Sequence, residues 1–291
     1  MAGRVGVVGG GIMGSGIAEV SARAGYEVLV CEVDDGRAEA ARTRVEKSLG
    51  RAVRGGRLDD DARDAALAAM TFTTDLGDLA DRDVVVEAVV EDEAEKTATF
   101  RDLGAIVSAE CLLASNTSSI PIMKLASVTA GPERVIGLHF FNPVPVLPLV
   151  EVVPSLLTSP ETLARAEEFA GKGLGKHTVR CKDRAGFVVN ALLIPFLLAA
   201  VRMVESGFAS AEDVDTAMVA GCAHPMGPLA LADLIGLDTT HAVACSMYAE
   251  FKEPLYASPP LLLRMVEAGL LGRKSGRGFF RYDDRPLTAS A

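Results

Sequence analysis

The chain has 291 residues, of which 49% are hydrophobic and 23% are charged, and it carries a net charge of −10. This composition excludes a disordered chain, which requires low hydrophobicity and high charge, and the acidic balance argues against nucleic acid or an anionic membrane as a partner. The longest unbroken apolar run covers residues 191–201, which is too short for a membrane-spanning helix of roughly 20 residues.

The cysteines and histidines form no local pattern that would hold a metal or a disulfide. The five cysteines include no C-x-x-C pair, and the four histidines lie far apart in the sequence. An odd, dispersed set of cysteines is typical of reduced thiols inside the cell. A strand pattern begins as early as Arg4, so we expect no secretion signal. We therefore predict a cytoplasmic protein without a metal site.

The first 182 residues alternate between short apolar runs and helical patterns. Residues 4–8 have strand character, a helical pattern covers residues 12–24, and a second apolar run follows at residues 28–31. This order makes a βαβ unit, which implies a parallel sheet with a right-handed crossover. Further apolar runs lie at residues 83–86, 111–114, 135–138, 149–153 and 178–179, and helical patterns at 93–108 and 161–173. We predict a Rossmann-type α/β domain over residues 1–182.

Beyond Lys182 the pattern changes to helices alone. The predicted helices are residues 185–206, 211–220, 228–250 and 259–269. Glycine and proline interrupt them at residues 225–228 and 258–260, and the one further strand candidate is the tail near Phe279. We predict an all-helical second domain over residues 183–291.

A glycine-rich motif follows the first predicted strand directly. Its residues fit the pattern G-x-G-x-x-G and are Gly9, Gly10, Gly11, Ile12, Met13 and Gly14. The glycines permit a tight turn and the close approach of a pyrophosphate to the positive end of the next helix. Glu32, eighteen positions after Gly14, supplies the carboxylate expected for the adenosine ribose, which favours NAD over NADP. A glycine-rich turn without a ligand is the alternative for the motif on its own.

A basic segment interrupts this acidic chain. Residues 37–57 contain seven basic and two acidic residues. The four that share one helical face, called the basic stripe below, are Arg44, Lys47, Arg51 and Arg54. Such a stripe can anchor the phosphates of a polyanionic small molecule, whereas a merely solvated helix face is the alternative. Nucleic acid is a poorer candidate because no aromatic residues accompany the stripe.

A histidine and a glutamate lie on two neighbouring apolar runs. His139 ends the run 135–138 and Glu151 lies in the run 149–153, with a proline-rich connection between them. If the runs pair as a hairpin centred near residue 145, the two side chains are directly opposed, with Cβ atoms about 5 Å apart. A carboxylate on one imidazole nitrogen fixes the tautomer and supports the ring as a base. A core histidine with a structural partner is the alternative.

With these motifs the sequence resembles the 3-hydroxyacyl-CoA dehydrogenase family, most of all its bacterial 3-hydroxybutyryl-CoA dehydrogenases. The resemblance extends from about residue 4 to residue 282. The motifs that carry it lie at residues 9–14, 87–91, 114–119, 137–143, 149–152, 186–190, 224–228 and 272–279. So many motifs in the right order are far more specific than any one of them.

The resemblance implies a catalytic role for four residues. His139 would be the general base that takes the proton of the 3-hydroxyl group while a hydride moves to NAD, and Glu151 would orient it. Ser118 and Asn190 would hydrogen-bond the substrate oxygen. From their spacing alone, an ST-turn for Ser118 and a helix-end hydrogen bond for Asn190 are the alternatives.

The resemblance also implies contacts to the cofactor and to CoA. Positions that contact the cofactor in relatives correspond here to Glu91, Lys96, Asn142 and Lys274. The basic stripe lies where relatives hold the CoA phosphates, and Ser48 matches a position that contacts CoA. Relatives often have a lysine where this chain has Gly55, and Arg51 or Arg54 would replace that contact.

We predict an NAD-dependent enzyme that interconverts a (3S)-3-hydroxyacyl-CoA, of short chain, with the 3-oxoacyl-CoA. The resemblance implies a homodimer through the helical domain and a cleft that closes over the substrate. Two rivals stay open: a dehydrogenase of a free hydroxy acid or sugar acid, in which the basic stripe is only surface, and a non-catalytic NAD-binding protein. The second rival has no need of a His–Glu pair, so a large separation of His139 from Glu151 would favour it.

Overall fold

The computed structural model describes residues 3–282. Contacts divide the chain into two compact units, Met1–Arg184 and Ala185–Ala291. The first unit combines a mostly parallel sheet with helices, and the second contains helices and no named strand among its described residues. These findings confirm the predicted fold class, a Rossmann-type α/β domain followed by an all-helical domain.

Eight strands form one sheet with the order β3-β2-β1-β4-β5-β6-β7-β8. They are β1 (Arg4–Val8), β2 (Glu27–Cys31), β3 (Met70–Thr73), β4 (Val84–Glu87), β5 (Leu112–Ser115), β6 (Val135–Phe140), β7 (Leu149–Pro154) and β8 (His177–Arg180). Neighbours from β3 to β6 pair in parallel, β6 and β7 pair antiparallel, and β7 and β8 pair in parallel. The antiparallel hairpin β6–β7 thus follows five parallel pairings, and β8 completes the sheet beside β7.

Six α-helices belong to the described part of the first unit. They are α1 (Ile12–Arg23), α2 (Asp35–Arg54), α3 (Asp60–Ala68), α4 (Glu93–Ile106), α5 (Ile122–Ser127) and α6 (Pro160–Glu168). Four of these helices have an N-cap side chain that accepts a hydrogen bond from a backbone N–H of the first turn. The caps are Asp34 on α2, Asp59 on α3, Asp92 on α4 and Ser159 on α6. In contrast, the N-cap of α1 is Gly11, which offers no side chain for its open N–H groups.

The core of the first unit lies between the sheet and the helices that cover it. Val5 and Val7 of β1 are fully buried, as parallel strands covered on both faces require. Ile17 of α1 and Val45 of α2 belong to the same buried cluster. Burial of such a side chain stabilises the fold by roughly 1.5–3 kcal/mol, so this cluster holds α1 and α2 firmly beside the strands.

The topology predicts a crevice at the carboxyl ends of the paired strands β1 and β4, because the connections that follow them run to opposite sides. The chain passes from β1 to β2 and β3 on one side, then returns to β4 and β5 on the other. In open α/β sheets, ligands bind at this switch point, outside the carboxyl ends of the strands. The segments that follow β1, β2, β4, β5 and β6 all meet at this edge because these strands are parallel.

The described residues of the second unit form five α-helices, and two predictions there are wrong. The helices are α7 (Val189–Glu205), α8 (Ala211–Cys222), α9 (Pro228–Ile235), α10 (Leu237–Phe251) and α11 (Pro260–Glu267). The predicted helix 228–250 is broken at Gly236, whose φ of 105° does not belong to a right-handed helix. Asp215 caps α9 by accepting hydrogen bonds from the N–H groups of Leu229 and Ala230. Near Phe279 the structure has isolated β-bridges rather than a strand.

The sequence pattern also missed three elements of the first unit. β3 has four residues and is mostly half-buried or exposed, so it gives little hydrophobic signal. α3 is rich in alanine and aspartate, with one buried residue, Ala66, and α5 has six residues. The predicted helix 161–173 is α-helical to Glu168 and then continues as a π-helical turn, Phe169–Gly173. Among the described residues, no helix has the length and apolarity that a membrane span requires.

Candidate active site

The glycine-rich turn between β1 and α1 has a shape that side chains would block. Gly9 has a φ of +91°, and a Cβ on Gly14 would lie 1.8 Å from the carbonyl oxygen of Gly9. A Cβ on Gly11 would meet nothing within 4 Å, so there is open space in front of the uncapped N-terminus of α1. A pyrophosphate needs such space and such N–H groups, so the residues of the turn fit a dinucleotide.

Glu32 lies beside this turn, as the sequence predicted. Its Oε1 accepts a hydrogen bond of 2.6 Å from the backbone N–H of Gly10, and its Oε2 lies 3.3 Å from the N–H of Val33. The carboxylate therefore lies at the carboxyl end of β2, next to the turn that would hold the pyrophosphate. This is the position from which a carboxylate bonds an adenosine ribose and repels a 2′-phosphate.

Arg44 belongs to the predicted basic stripe, and in the structure its side chain contacts the glycine-rich turn. Its guanidinium donates to the carbonyl oxygen of Gly10, which also accepts a 2.7 Å bond from Ser15 Oγ. Gly10 is therefore held at its N–H by Glu32 and at its carbonyl by Ser15 and Arg44. Helical periodicity gave no signal for this, because the contact depends on how closely α2 packs against the turn.

Three apolar side chains line this edge of the sheet without being buried. Ile12 follows β1, Val33 follows β2 and Val90 follows β4, and each is more than 60% exposed. Large exposed apolar side chains that cluster at a crevice mark a ligand site better than scattered ones do. A dinucleotide on the turn would cover them.

A charged network fixes the loops after β4 and β5. Lys96 of α4, 1% exposed, lies with its Nζ 2.6 Å from Oε1 of Glu87 and 3.4 Å from Oε2 of Glu91. Glu87 is fully buried and also accepts bonds from the N–H of Val89, at 2.7 Å, and from Ser115 Oγ, at 2.6 Å. Two carboxylates thus share one buried ammonium group. Glu87 was not singled out from the sequence, because its partners come from three different elements.

Glu91 connects this network to Ser118. Its Oε1 accepts hydrogen bonds from Thr117 Oγ1 (2.6 Å), from the N–H and Oγ of Ser118 (2.9 and 3.3 Å), and from the N–H and Oγ of Ser119 (3.0 and 2.9 Å). Burial alone would raise the pKa of Glu91, but the charge of Lys96 and these hydrogen bonds outweigh it, so the pKa lies below its usual value. Glu91 is therefore held ionised against the loop after β5, residues 116–121, which is called the serine loop below. The structure thus brings together Glu91, Lys96 and Ser118, three of the predicted site residues.

His139 and Glu151 form a cross-strand pair in the β6–β7 hairpin. They are register partners, and Nδ1 of His139 lies 2.7 Å from Oε2 of Glu151. His139 is 6% exposed and Glu151 is fully buried. The ring of Phe141 packs edge-on against the imidazole, with centroids 4.6 Å apart. The imidazole is thus held by a carboxylate on one ring nitrogen and by an aromatic ring on its side.

The same end of the sheet carries two more features of interest. Asn116, directly after β5, accepts a hydrogen bond at its Oδ1 from the N–H of Phe140 at 2.9 Å, which ties the serine loop to the end of β6. Asn142, a predicted cofactor contact, is exposed two residues after β6. The parallel order of β4, β5 and β6 therefore brings the loops of Glu91, Ser118 and Asn142 to one edge of the sheet.

The predicted CoA contacts lie on α2. Arg51 and Arg54 are exposed, whereas Ser48 is half-buried. Ser48 is hydrogen-bonded to Glu19 of α1, a carboxylate that is 1% exposed. Burial raises the pKa of Glu19, against the opposing effects of Ser48, Arg23 and Arg51. Arg51 and Ser48 therefore both face a buried carboxylate, and Arg54 lies on the outside of the helix.

Two of the predicted site residues belong to the second unit. Asn190 is half-buried in the first turn of α7. Lys274 lies in a short 3₁₀ turn, Arg273–Ser275, with its Nζ 2.6 Å from a carboxylate oxygen of Asp238. Among the described residues, no group of three or more histidine, cysteine or acidic side chains is arranged to hold a metal.

Comparison with protein families matches both units. The model of the 3-hydroxyacyl-CoA dehydrogenase NAD-binding domain matches residues 4–184, and that of the C-terminal domain of the same family matches residues 186–282. Together they cover nearly the whole described chain.

Individual relatives agree with these models. A 3-hydroxybutyryl-CoA dehydrogenase of Mycobacterium tuberculosis is 64% identical over 280 residues, covering 96% of this chain and 98% of that protein. The crystal structure of M. tuberculosis FadB2 matches with a TM-score of 0.95 and 63% identity, covering 97% of this chain and all of the other. A (S)-3-hydroxybutyryl-CoA dehydrogenase of Ralstonia eutropha matches with a TM-score of 0.92 and 43% identity, covering 97% and 99% of the two chains.

These findings confirm the predicted family, the predicted cofactor and the prediction of an enzyme. The NAD-binding model matches the unit that carries the glycine-rich turn and Glu32, which is the region that the sequence assigned to the cofactor. The chain therefore belongs to the 3-hydroxyacyl-CoA dehydrogenase family and is an NAD-dependent dehydrogenase.

Proposed function

We propose that this protein interconverts (3S)-3-hydroxybutyryl-CoA and acetoacetyl-CoA, with His139 as the general base. The observation that carries the proposal is the 2.7 Å contact between His139 Nδ1 and Glu151 Oε2 at the carboxyl end of β6. A carboxylate on Nδ1 leaves proton exchange with substrate to Nε2 and stabilises the imidazolium form. A non-catalytic NAD-binding protein would have no use for such a pair.

NAD⁺, when bound on the glycine-rich turn, supplies the acceptor for the hydride from C3 of the hydroxyacyl group. His139 takes the hydroxyl proton in the oxidation and returns it in the reduction. Glu151 keeps the imidazole in one orientation, because its own carboxylate is fully buried and has the ring as its hydrogen-bond partner. General base catalysis by a positioned histidine contributes about 10²–10⁴-fold to such a rate.

Ser118 is the residue of the first unit that would hydrogen-bond the reacting oxygen. Its Oγ lies 3.3 Å from Glu91 Oε1, the longest of the five hydrogen bonds on that oxygen. The backbone N–H of Ser118 is held more tightly, at 2.9 Å. The loop can therefore stay fixed by its backbone while the hydroxyl group exchanges Glu91 for the substrate. Asn190 of the second unit is proposed as the second hydrogen-bond donor.

The remaining assignments of residues to the cofactor, to CoA and to a dimer rest on the resemblance to the family. We propose that residues 1–182 bind NAD through Glu32, Glu91, Lys96 and Asn142, with Lys274 contributing from the second domain, residues 183–291. Ser48, Arg51 and Arg54 are proposed to hold CoA. The second domain is proposed to form a homodimer, because the large apolar side chains of Leu192 and Phe208 are more than 70% exposed. Exposed apolar side chains of this kind are typical of protein–protein interfaces. A cytoplasmic location stays a prediction from the cysteine pattern.

The test is the oxidation of NADH with acetoacetyl-CoA, measured beside free acetoacetate and with NADPH as the alternative donor. We expect turnover with the CoA ester and NADH only. Turnover of the free acid at a similar kcat/KM would replace the proposal by a hydroxy-acid dehydrogenase. No turnover with any pair, from protein that binds NADH, would favour a non-catalytic protein.

A further inference from the structure

The N-terminus of α5 is capped by a side chain that is distant in the sequence. The N-cap residue, Pro121, makes no side-chain hydrogen bond to the helix, and α5 has only six residues. Instead, the carboxylate of Asp183 accepts one hydrogen bond at each oxygen, from the backbone N–H of Ile122 and from that of Met123, both at 2.8 Å. Because an isolated helix of this length is unstable and leaves its first N–H groups open, Asp183 supplies what α5 itself lacks.

Asp183 is itself tied to the sheet. It lies just after β8, and the N–H of Cys181 still donates to the carbonyl oxygen of Val152 in β7 at 3.1 Å. The side chain of Asp183 is half-buried. A carboxylate at the positive end of a helix makes charge-assisted hydrogen bonds, which are roughly twice as strong as neutral ones. The cap therefore fixes the first turn of α5 to the sheet.

The first turn of α5 determines where the serine loop ends. This loop, residues 116–121, runs from β5 to α5 without a strand or a helix of its own. At its start, the N–H of Asn116 donates to the last carbonyl oxygen of β4 at 2.9 Å. In its middle, Glu91 accepts the N–H of Ser118 at 2.9 Å. The loop is thus held at three points, and Asp183 provides the last of them from a distant part of the sequence.

The same turn of α5 packs against the strand that carries His139. Ile122 is fully buried, and a Cβ on Gly137 of β6 would lie 2.8 Å from Cδ1 of Ile122. The helix can approach β6 this closely because the strand has no side chain at that position. Gly137 lies just before His139 in β6, and Ser118 lies one short loop before Ile122. The cap on α5 therefore sets the position of the serine loop relative to the imidazole.

We propose that Asp183 is a positioning residue for the dehydrogenase reaction and that it acts through Ser118. By capping α5 from the sheet, it holds the serine loop where the hydroxyl group of Ser118 meets the reacting oxygen beside His139. The inference rests on the proposed function for the role of Ser118, and Asp183 needs no contact with NAD or substrate. A displacement of about 1 Å, caused far from the chemistry, can lower a rate about 10²-fold, so a cap of this kind matters for turnover.

Asp215 provides a matched control in the second unit. Its carboxylate caps α9 in the same way, with one oxygen on the N–H of Leu229 and the other on that of Ala230, both at 2.8 Å. In Asp183→Asn and in Asp215→Asn, the amide keeps one acceptor and turns its NH₂ group toward the other N–H. We expect both variants to unfold at a lower temperature than wild type and to bind NADH equally well. The kcat with acetoacetyl-CoA falls about tenfold in Asp183→Asn alone.

A double variant tests whether Asp183 acts through Ser118. Ser118→Ala removes the hydroxyl group, so the addition of Asp183→Asn should lower kcat no further, because the group that Asp183 positions is gone. A tenfold fall of kcat in both backgrounds, or a kcat of Asp183→Asn equal to that of wild type, overturns the proposal. Ser118→Ala with unchanged kcat, or wild type without turnover of acetoacetyl-CoA, overturns the proposed function instead.

Hydrogen exchange of the backbone amides decides on the cap without turnover. Mass spectrometry is expected to show slow exchange at residues 116–123 of wild type and faster exchange there in Asp183→Asn, with α9 unchanged. Asp215→Asn should show the reverse. Fast exchange at residues 116–123 of wild type, or equal exchange in wild type and Asp183→Asn, means that Asp183 does not hold the loop and overturns the inference. The wild-type measurement is decisive even if the variant does not fold.

Discussion

Two regions at the same edge of the sheet hold their polar groups in different ways. In the β6–β7 hairpin, one carboxylate holds one imidazole, and both residues belong to strands that pair directly. After β4 and β5, two carboxylates share the ammonium group of Lys96, and hydroxyl and backbone N–H groups complete the network. The hairpin suits a side chain that takes up and releases a proton, whereas the network suits charged side chains that hold loops in place.

The difference has a physical reason. An imidazole beside a carboxylate can exist in the neutral or the protonated form, because the carboxylate stabilises the positive charge of the protonated ring. Lys96 lies between Glu87 and Glu91, so its loss would leave the fully buried carboxylate of Glu87 without its cation. In the proposed mechanism the hairpin pair takes up and returns a proton, whereas the network holds the serine loop in place.

Removal of the imidazole has the largest expected effect on activity. His139→Gln keeps a polar group opposite Glu151 but cannot take up the hydroxyl proton, so we expect kcat to fall by about 10²–10⁴-fold. Binding of NADH, measured by fluorescence titration, should be unchanged. Turnover equal to wild type would remove His139 from the mechanism and would make the hairpin pair a structural one.

Removal of the ammonium group should affect stability more than any other single change in the network. Lys96→Met leaves Glu87 buried without its charge partner, which typically costs about 3–5 kcal/mol of unfolding free energy. Denaturant unfolding at neutral pH measures this loss. Lys124→Met is the matched control, because Lys124 makes an equally short contact of 2.6 Å with Glu93 on the surface, and exposed pairs contribute about 1 kcal/mol or less.

The pH dependence of this variant tests the assignment to the carboxylates. Since the pKa of Glu91 is lowered in the folded protein, its contribution to stability is present above the unfolded value, near 4.5, and is lost as the pH falls through the folded pKa. The difference between wild type and Lys96→Met should therefore shrink as the medium is acidified below about pH 4.5. A difference that is constant with pH would mean that Lys96 acts by packing alone.

The same contrast explains what could be predicted from the sequence. The sequence predicts that His139 and Glu151 are opposed if their two runs pair as a hairpin, because side chains alternate along strands and the turn fixes the register. The structure has that pairing. The network could not be found in that way, because Glu87, Glu91 and Lys96 come from a strand end, a loop and a helix whose relative positions depend on packing. Only the family resemblance drew attention to Glu91 and Lys96.

Arg44 and the predicted helix 228–250 also show that a sequence pattern does not reveal how elements pack or where a helix breaks. Periodicity placed Arg44 on the basic stripe, but the packing of α2 beside the glycine-rich turn directs its guanidinium to Gly10. Within residues 228–250, both halves have helical periodicity, and a single glycine in the left-handed region separates them. Most of the elements followed from hydrophobicity, whereas β3, α3, α5 and the contacts across elements did not.

Arg44 supports the cofactor site without belonging to the catalytic pair or to the buried network, so its removal should have a moderate effect. Arg44→Met removes one donor from the carbonyl of Gly10 and leaves that of Ser15, so the turn should be less well fixed rather than lost. We expect the Kd for NADH to rise about tenfold or less, the equivalent of one charged hydrogen bond of about 1.5 kcal/mol. Fluorescence titration measures it, and Lys47→Met, an exposed change on the same helix, is the control. An equal loss in both variants would mean that the charge of α2 matters rather than the contact.

Glu19 provides the smallest effect and a direct contrast with Glu91. Glu19 is 1% exposed, whereas the side chain of Glu91 is 37% exposed. Burial raises the pKa of Glu19 despite Ser48, Arg23 and Arg51, and Lys176 is a further cation near it. A raised folded pKa means that the stability is fully present below the unfolded value of about 4.5 and is partly lost as the pH rises through the folded value.

Glu19→Gln removes this loss, so the variant should unfold at a slightly higher temperature than wild type at pH 7 and at the same temperature near pH 4. Thermal unfolding at the two pH values measures the change, and Glu46→Gln, on the exposed side of α2, should show neither effect. If Glu19→Gln is instead destabilising at pH 7, the surrounding cations outweigh the cost of burial. Glu19 would then act as Glu91 does, as a counter-ion that holds positive side chains in place.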